Sequence, residues 1–170
     1  MPSESREALL AKVMEAAAKD GLADRSLREI AASAGTSHRM LIYHFGSREG
    51  LLRAIVEAME AQQRAAMTGD DPHEVMASLW ERVSSPEVRP FVRLFFEVFA
   101  LTSRGDSLTS PWLDEAAAVA GRLGVEPDRA ALRLGVAVTR GLLLDLLAGA
   151  PKEEVDEAYA VFMRLYEARG

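Results

Sequence analysis

The sequence predicts an all-α fold of about nine helices. Alanine and leucine, which both favour helices, are abundant among the 170 residues, and 49% of the chain is hydrophobic. Apolar residues recur at spacings of three and four, the period of a helix with one buried face. Valine and isoleucine form no alternating runs of the kind that half-buried strands show. These observations favour helices throughout the chain.

Four predicted helices form an N-terminal group. Serines that suit N-caps precede them, and glycines punctuate their ends. Ser26 and Glu29 have the Ser-x-x-Glu spacing of a capping box at the start of the second helix. The proposed caps are Ser3 or Ser5, Ser26, Ser37 and Ser47. The predicted helix ranges are 3–20, 26–35, 37–45 and 48–67.

The remaining helices are predicted after a linker that ends at Pro72. The segment 127–148 is apolar almost all round, so it should be buried on more than one side. A turn at residues 149–151 separates it from an amphipathic last helix. The predicted ranges are 72–84, 87–103, 110–123, 127–148 and 152–169.

Composition excludes several classes of protein. The chain has no cysteine, so it can form no disulfide, thiol nucleophile or cysteine-ligated zinc site. The histidines, His38, His44 and His73, do not have the spacing of a metal site. The N-terminus lacks the apolar core of a signal peptide, and no apolar run approaches the roughly 18 residues of a membrane span. We therefore expect a cytoplasmic protein without metal, cofactor, membrane segment or enzymatic activity.

The net charge of −6 is unevenly distributed along the chain. Residues 1–66 hold 9 basic and 9 acidic side chains, whereas residues 67–170 hold 11 basic and 17 acidic ones. The acidic part should face away from phosphate groups. A neutral N-terminal part can still bind DNA, because the local face that meets the backbone decides the interaction.

Residues 26–52 have the pattern of a helix-turn-helix, two short helices joined by a tight turn. Ala31 and Ala34 are small enough to let the two helices cross closely, and Gly35 suits the turn. The apolar residues expected to hold the motif against neighbouring helices are Leu27, Ile30, Leu41 and Phe45.

The second helix of this motif should turn one face outward. At 100° per residue from Leu41, Arg39 lies at about 160° and Tyr43 at about 200°. An outward arginine at a helix start suits a guanine edge or a phosphate, and the alternative is a solvated surface residue. His38 and His44 lie at the edges of the buried side, where packing is the alternative to a phosphate contact. The predicted DNA contacts are Ser26, Thr36, Ser37, His38, Arg39, Met40, Tyr43, His44 and Arg48.

This N-terminal part resembles the DNA-binding domain of the Tet-repressor (TetR/AcrR) family of transcription regulators. The order and spacing of the shared residues agree without gaps over roughly residues 8–55. The matching pieces are Ile30-Ala31, Ala34-Gly35, Ser37, Leu41, Tyr43-His44-Phe45, Ser47-Arg48-Glu49 and Leu51-Leu52.

The resemblance implies two domains and a dimer. Residues 1–47 would form the helix-turn-helix DNA-binding domain, and residues 48–170 a helical ligand-binding and dimerisation domain. Arg140-Gly141-Leu142, inside the long apolar helix, resembles part of the family's C-terminal dimerisation pair. We therefore expect a homodimer through helices near 128–148 and 152–169, with a double-stranded DNA operator as its partner.

The predicted base-reading residues depart from the family pattern. Family members usually carry a small residue and a hydroxyl where this chain has Arg39 and Met40. They often carry a phosphate-contacting tyrosine at Ile42 and usually a lysine at Arg48. The resemblance therefore predicts the fold, while operators typical of the family are a poor guide for this chain.

Aromatic residues of the later helices either line a small-molecule pocket or form ordinary core. The residues concerned are Trp80, Phe95, Phe96, Phe99 and Trp112. The resemblance favours the pocket for the cluster as a whole, because the family commonly keeps one within these helices. Glu97 lies among the aromatics, and its spacing from Arg93 predicts a solvated ion pair on one helix face.

The sequence thus predicts a sequence-specific DNA-binding transcription regulator, a repressor released from its operator by a small apolar effector. The alternative is a DNA-binding regulator without a small-molecule ligand, controlled by a protein partner or by its own concentration. A third hypothesis, a helical enzyme or scaffold, has no motif in its support.

Overall fold

The computed structural model describes residues 5–22, 24–65, 71–102, 110–122, 124, 126 and 128–167. Within these ranges the regular structure consists of nine α-helices and a short 3-10 turn, Pro86–Val88, and contains no strand. The helices are α1 (Arg6–Asp20), α2 (Leu27–Ser33), α3 (His38–Phe45), α4 (Arg48–Ala65), α5 (Pro72–Ser84), α6 (Arg89–Thr102), α7 (Ser110–Arg122), α8 (Arg129–Ala148) and α9 (Lys152–Glu167). The all-α prediction is confirmed, although α6 begins after the 3-10 turn rather than at residue 87.

Side-chain caps define the starts of the N-terminal helices as the sequence predicts. The Ser5 hydroxyl accepts a hydrogen bond from the Ala8 N–H at 3.1 Å, which assigns the first cap to Ser5. Ser37 and Ser47 cap α3 and α4 in the same way. Each cap satisfies a backbone N–H group that a helix start leaves unpaired.

The chain folds as two compact units that differ from the two predicted domains. The first comprises Met1–Gln62 and Pro90–Asp106, and the second comprises Gln63–Arg89 and Ser107–Gly170. Accordingly, α6 belongs with α1, α2 and α3. One reason is a hydrogen bond from the Leu22 N–H, just after α1, to the Glu97 carboxylate on α6.

The first unit has an aliphatic core to which each of its helices contributes. Full burial of one such side chain stabilises a fold by about 1.5–3 kcal/mol. The almost wholly buried residues include Leu9, Val13, Leu22, Ile30, Leu41, Leu51, Ile55, Leu94 and Val98.

Aromatic and polar contacts join α5 to α9 in the second unit. The Trp80 and Tyr159 rings stack with centroids 4.3 Å apart and 9° between their planes. Trp80 Nε1 donates to Asp156 Oδ1 at 2.9 Å, and Lys152 Nζ contacts the other carboxylate oxygen at 2.5 Å. The Tyr159 hydroxyl donates to the Met76 carbonyl at 3.1 Å, and burial raises the pKa of Tyr159 to about 12.

Two helices of the second unit, α8 and α9, pack together yet expose apolar stripes. A Cβ at the buried Gly135 would lie 3.7 Å from Phe162 Cζ, so the helices meet closely at this glycine. Six of the exposed residues of α8 alternate at spacings of four and three: Ala130, Leu134, Ala137, Gly141, Leu144 and Ala148. The other exposed residues of this helix are charged: Arg129, Arg133 and Asp145. On α9 the same spacing relates Glu154, Ala158, Val161 and Leu165. The predicted burial of α8 on more than one side is therefore not complete within one protomer.

Replacing Leu41 with alanine should lower the free energy of unfolding by about 2–5 kcal/mol. Leu41 is 0% exposed, so the smaller alanine side chain would leave a cavity in the core. The matched control in the same helix is Tyr43→Ala. Tyr43 is 78% exposed, so its loss should change stability by about 0.5 kcal/mol or less. Urea unfolding followed by circular dichroism measures both values. Equal losses for the two variants would contradict the burial assigned to α3.

Candidate nucleic-acid interface

The turn between α2 and α3 is tight and depends on a glycine. Gly35 has a φ of +63°, a left-handed conformation that a side chain would strain. The Thr36 N–H donates to the Ala31 carbonyl at 2.9 Å and closes the turn. Ala31 and Ala34 are both buried here, and their small side chains let the two helices approach. The geometry is that of the predicted helix-turn-helix.

One face of α3 is fixed to the core of the first unit. Leu41 and Phe45 are buried, as is Ile30 of α2, whereas Leu27 is half-buried. The Arg6 guanidinium of α1 lies 5.1 Å from the centre of the Phe45 ring, within cation–π distance. Contacts to α1 and α2 therefore decide which way the opposite face of α3 points.

That opposite face of α3 points to solvent. His38, Arg39 and Tyr43 are exposed, and Met40 is half-buried. Ile42, which stands where family members often carry a tyrosine, is 39% exposed. The predicted base-reading side chains thus lie on or beside one outward surface, which we call the reading face: His38, Arg39, Met40, Ile42 and Tyr43.

Ser26, a predicted phosphate contact, has its polar groups engaged in the capping box. Its hydroxyl donates to Glu29 Oε2 at 2.6 Å, and its backbone N–H donates to the same oxygen at 2.7 Å. In return, the Glu29 N–H donates to the Ser26 hydroxyl at 3.3 Å. The bond from the Ser26 side chain, followed by that from its N–H, lowers the pKa of Glu29. A phosphate contact by Ser26 stays a prediction and would compete with this bond.

His44 packs against its aromatic neighbours in α3. Its ring lies edge-on to Tyr43, with centroids 4.9 Å apart, and tilted to Phe45 at 6.2 Å. Nε2 is enclosed and makes no hydrogen bond within the described ranges. This geometry favours packing over a phosphate contact for His44.

Arg48, another predicted DNA contact, bonds within the protein. Its Nε donates to the Arg25 carbonyl at 3.1 Å, and its Nη2 donates to the Leu22 carbonyl at 3.0 Å. The first residue of α4 is thereby tied to the loop between α1 and α2. Sequence reasoning missed this role because the bonded carbonyls lie 23 and 26 residues earlier in the chain.

The prediction that Glu97 forms a solvated pair with Arg93 is wrong. Glu97 is half-buried, and its Oε1 accepts a hydrogen bond from the Leu22 N–H at 2.5 Å. The bond connects α6 to the residue that follows the C-cap of α1, Gly21. The one indication of this role in the sequence was the position of an acidic residue among aromatic ones.

The predicted ligand-binding aromatics belong to different parts of the structure. Trp80 lies in the second unit, stacked on Tyr159. Three half-buried phenylalanines follow one another along α6 in the first unit: Phe95, Phe96 and Phe99. The Phe95 ring lies 5.4 Å from Phe96 and 5.7 Å from Phe99, between centroids. The side chain of Trp112 lies outside the described part of the structure.

The described ranges contain neither a metal site nor a membrane-spanning helix. No group of three or more histidine, aspartate or glutamate side chains there could hold a metal ion. No helix among those described is long and apolar enough to cross a membrane.

Comparisons with known proteins agree with this geometry. Residues 9–55 match the family model described as bacterial regulatory proteins, tetR family. The HTH-type transcriptional regulatory protein RaaS of Mycobacterium tuberculosis (strain ATCC 25618 / H37Rv) is 39% identical over 59 residues, which cover 32% of this chain and 28% of RaaS. The match thus spans less than a third of that relative's length.

A solved structure extends the likeness in fold to most of the chain. The TetR-like transcriptional regulator LfrR from Mycobacterium smegmatis, crystallised in complex with proflavine, aligns with a TM-score of 0.58 and 23% identity. The alignment covers 90% of this chain and 91% of LfrR. At this identity the likeness shows a shared fold. Residues 9–55, which include α2 and α3, thus match the tetR family of bacterial regulatory proteins, and the chain as a whole shares the fold of a TetR-like regulator.

Proposed function

We propose that the protein is a sequence-specific DNA-binding transcription regulator that acts as a repressor. The observation that carries this proposal is the reading face. Leu41 and Phe45 hold one side of α3 in the core, while Arg39 and Tyr43 on the other side are exposed. The family match and the regulatory protein RaaS support the same conclusion.

The chemistry of the reading face suits a major groove. The N-terminus of α3 carries the partial positive charge of a helix dipole, which favours a phosphate beside Thr36 and Ser37. Arg39 lies in the first turn of α3, where its planar guanidinium can bond the two acceptors of a guanine edge. The acidic excess lies after residue 66 of the sequence, outside the helix-turn-helix.

A second copy of the chain is proposed to cover the stripes of α8 and α9. Alternating spacings of four and three are those of helices that pair along a seam. Leu134 and Leu144 are 46% and 49% exposed in one protomer, while Ala137 and Gly141 between them leave room for a partner helix. Pairing would place two reading faces on one DNA face, about 34–36 Å apart or at a multiple of that distance.

The effector proposed for this regulator is a small aromatic or apolar molecule. The partly accessible ladder of Phe95, Phe96 and Phe99 supports that chemistry, and so does the complex of LfrR with proflavine. Trp80 is less suited to bind a ligand, because its ring and its N–H are already engaged by α9. Release from DNA requires only about 1–3 kcal/mol of coupling free energy between effector binding and operator binding.

Arg39→Ala should weaken operator binding by about 5- to 150-fold, the loss expected for one base-reading arginine. Gel shifts with DNA flanking the protein's own gene measure the effect. Arg39→Lys keeps the charge but loses the bidentate fork, so it should resemble alanine if Arg39 reads a guanine. The control is Arg82→Ala, which removes one exposed charge from the second unit. If Arg39→Ala binds like this control, Arg39 is not part of the reading face's contact with DNA.

Leu144→Glu should convert the dimer to a monomer, since it buries a carboxylate in the apolar seam. Analytical ultracentrifugation measures the change, and binding to a two-half-site operator should fall with it. Ala118→Glu adds the same charge at an exposed position of α7 and should leave the dimer intact. A Leu144→Glu protein that stays dimeric would rule out the proposed seam.

Proflavine should raise the melting temperature of the wild-type protein, because a ligand that binds the folded state stabilises it. Phe95→Ala should reduce the shift, whereas Phe91→Ala, one turn earlier on α6, should retain it. DNA is left out of this measurement because planar dyes also stack on bases. Absence of any shift, with proflavine and with a panel of apolar aromatics, would favour a regulator without a small-molecule ligand.

A further inference from the structure

We propose that Glu97 is a positioning residue for DNA binding, although it lies on α6 and outside the helix-turn-helix. The proposal rests on the proposed DNA-binding function and names a residue through which that function is maintained. Glu97 acts on the backbone of Leu22, in the loop that leads into α2.

The backbone of Leu22 is held from both sides by charged groups. Its N–H donates to Glu97 Oε1 at 2.5 Å, and its carbonyl accepts from Arg48 Nη2 at 3.0 Å. The acid comes from α6 and the arginine from the start of α4. Both hydrogen bonds are partly buried and charge-assisted, which makes them stronger than bonds between neutral groups.

The two bonds restrain the two peptide groups that flank the Leu22 Cα. Glu97 bonds the N–H of the group before it, and Arg48 bonds the C=O of the group after it. The Leu22 side chain is almost wholly buried, so the segment is fixed by packing as well. We call this arrangement of Glu97, Leu22 and Arg48 the loop clamp.

The loop clamp is connected to the reading face through the end of the loop and α2. Arg48 also bonds the carbonyl of Arg25, the residue immediately before the Ser26 cap of α2. α2 in turn fixes α3 through the Gly35 turn and their shared buried side. Loss of the Glu97 acceptor would free the Leu22 N–H and loosen the loop before α2. The reading face would then sample more orientations.

Glu97 is better suited to a test than Arg48, because the Arg48 guanidinium is itself a predicted DNA contact. Three variants separate the contributions. Glu97→Ala removes the acceptor and the charge, whereas Glu97→Gln keeps an amide oxygen as acceptor. Glu57→Ala removes one exposed carboxylate from the same unit and corrects for the change in net charge, which alone strengthens binding to phosphates.

The first measurement is hydrogen exchange of the Leu22 amide by NMR, without DNA. Exchange should accelerate about 10- to 100-fold in Glu97→Ala, the fold-change that corresponds to one hydrogen bond to a charged group. Glu57→Ala should stay near wild type, and Glu97→Gln should lie between wild type and Glu97→Ala, because its amide oxygen accepts the bond without the charge. An unchanged rate in Glu97→Ala would overturn the loop clamp.

The second measurement is affinity for a duplex selected by the wild-type protein from random sequences, at a temperature where all variants are folded by circular dichroism. Glu97→Ala should bind this duplex about 2- to 30-fold more weakly than Glu57→Ala, as expected for a residue that acts through others. Glu97→Gln should recover most of the affinity. Glu97→Ala and Glu57→Ala should bind a scrambled duplex equally well, because that binding depends on phosphate contacts that tolerate reorientation.

The outcomes separate the two proposals. If the wild-type protein selects no duplex, the DNA-binding function is wrong and the positioning role fails with it, while the exchange rates still report on the hydrogen bond. If Glu97→Ala accelerates exchange but binds the selected duplex like Glu57→Ala, the function stands and the positioning role is overturned. Should Glu97→Ala not fold, Glu97→Asp withdraws the acceptor by one methylene and gives the same comparison.

Discussion

The structure depends on holding a helix of eight residues, α3, by one side only. A helix this short is marginal in water, so packing must supply what its own hydrogen bonds do not. Leu41 and Phe45 provide that packing, and the Ser37 cap and the Gly35 turn fix where the helix starts. Because every one of these groups lies on the inner side or at the ends, the outer side remains exposed for the proposed contacts with DNA.

A second layer of support comes from side chains distant in the sequence. Arg48 bonds the loop between α1 and α2, and Glu97 bonds the same loop from α6. Within this loop the Arg25 N–H donates to the Leu22 carbonyl at 3.2 Å, and Arg25 Nη1 donates to Asp20 Oδ2 at 3.4 Å. The proposed positioning of the reading face therefore depends on residues outside α3.

Local features of the structure could be predicted from the sequence, whereas long-range polar contacts could not. The caps at Ser26 and Ser37 and the outward direction of Arg39 follow from spacings of three or four residues, so a single segment determines them. The bond from Leu22 to Glu97 spans 75 residues, and that from Trp80 to Asp156 spans 76. Helical periodicity says which side of a helix is apolar, but not which carboxylate on it will meet a backbone N–H.

The attachment of α9 to α5 has a consequence for how this kind of regulator diversifies. Asp156 and Tyr159 anchor α9 within its own protomer, whereas Ala158, Val161 and Leu165 lie on its exposed stripe. Because the two sets do not overlap, substitutions on the stripe can change the proposed dimer seam without loosening the attachment of α9 to α5. If the stripe is that seam, two chains that arise by gene duplication can lose the ability to pair with each other through a few surface changes, while each keeps its fold.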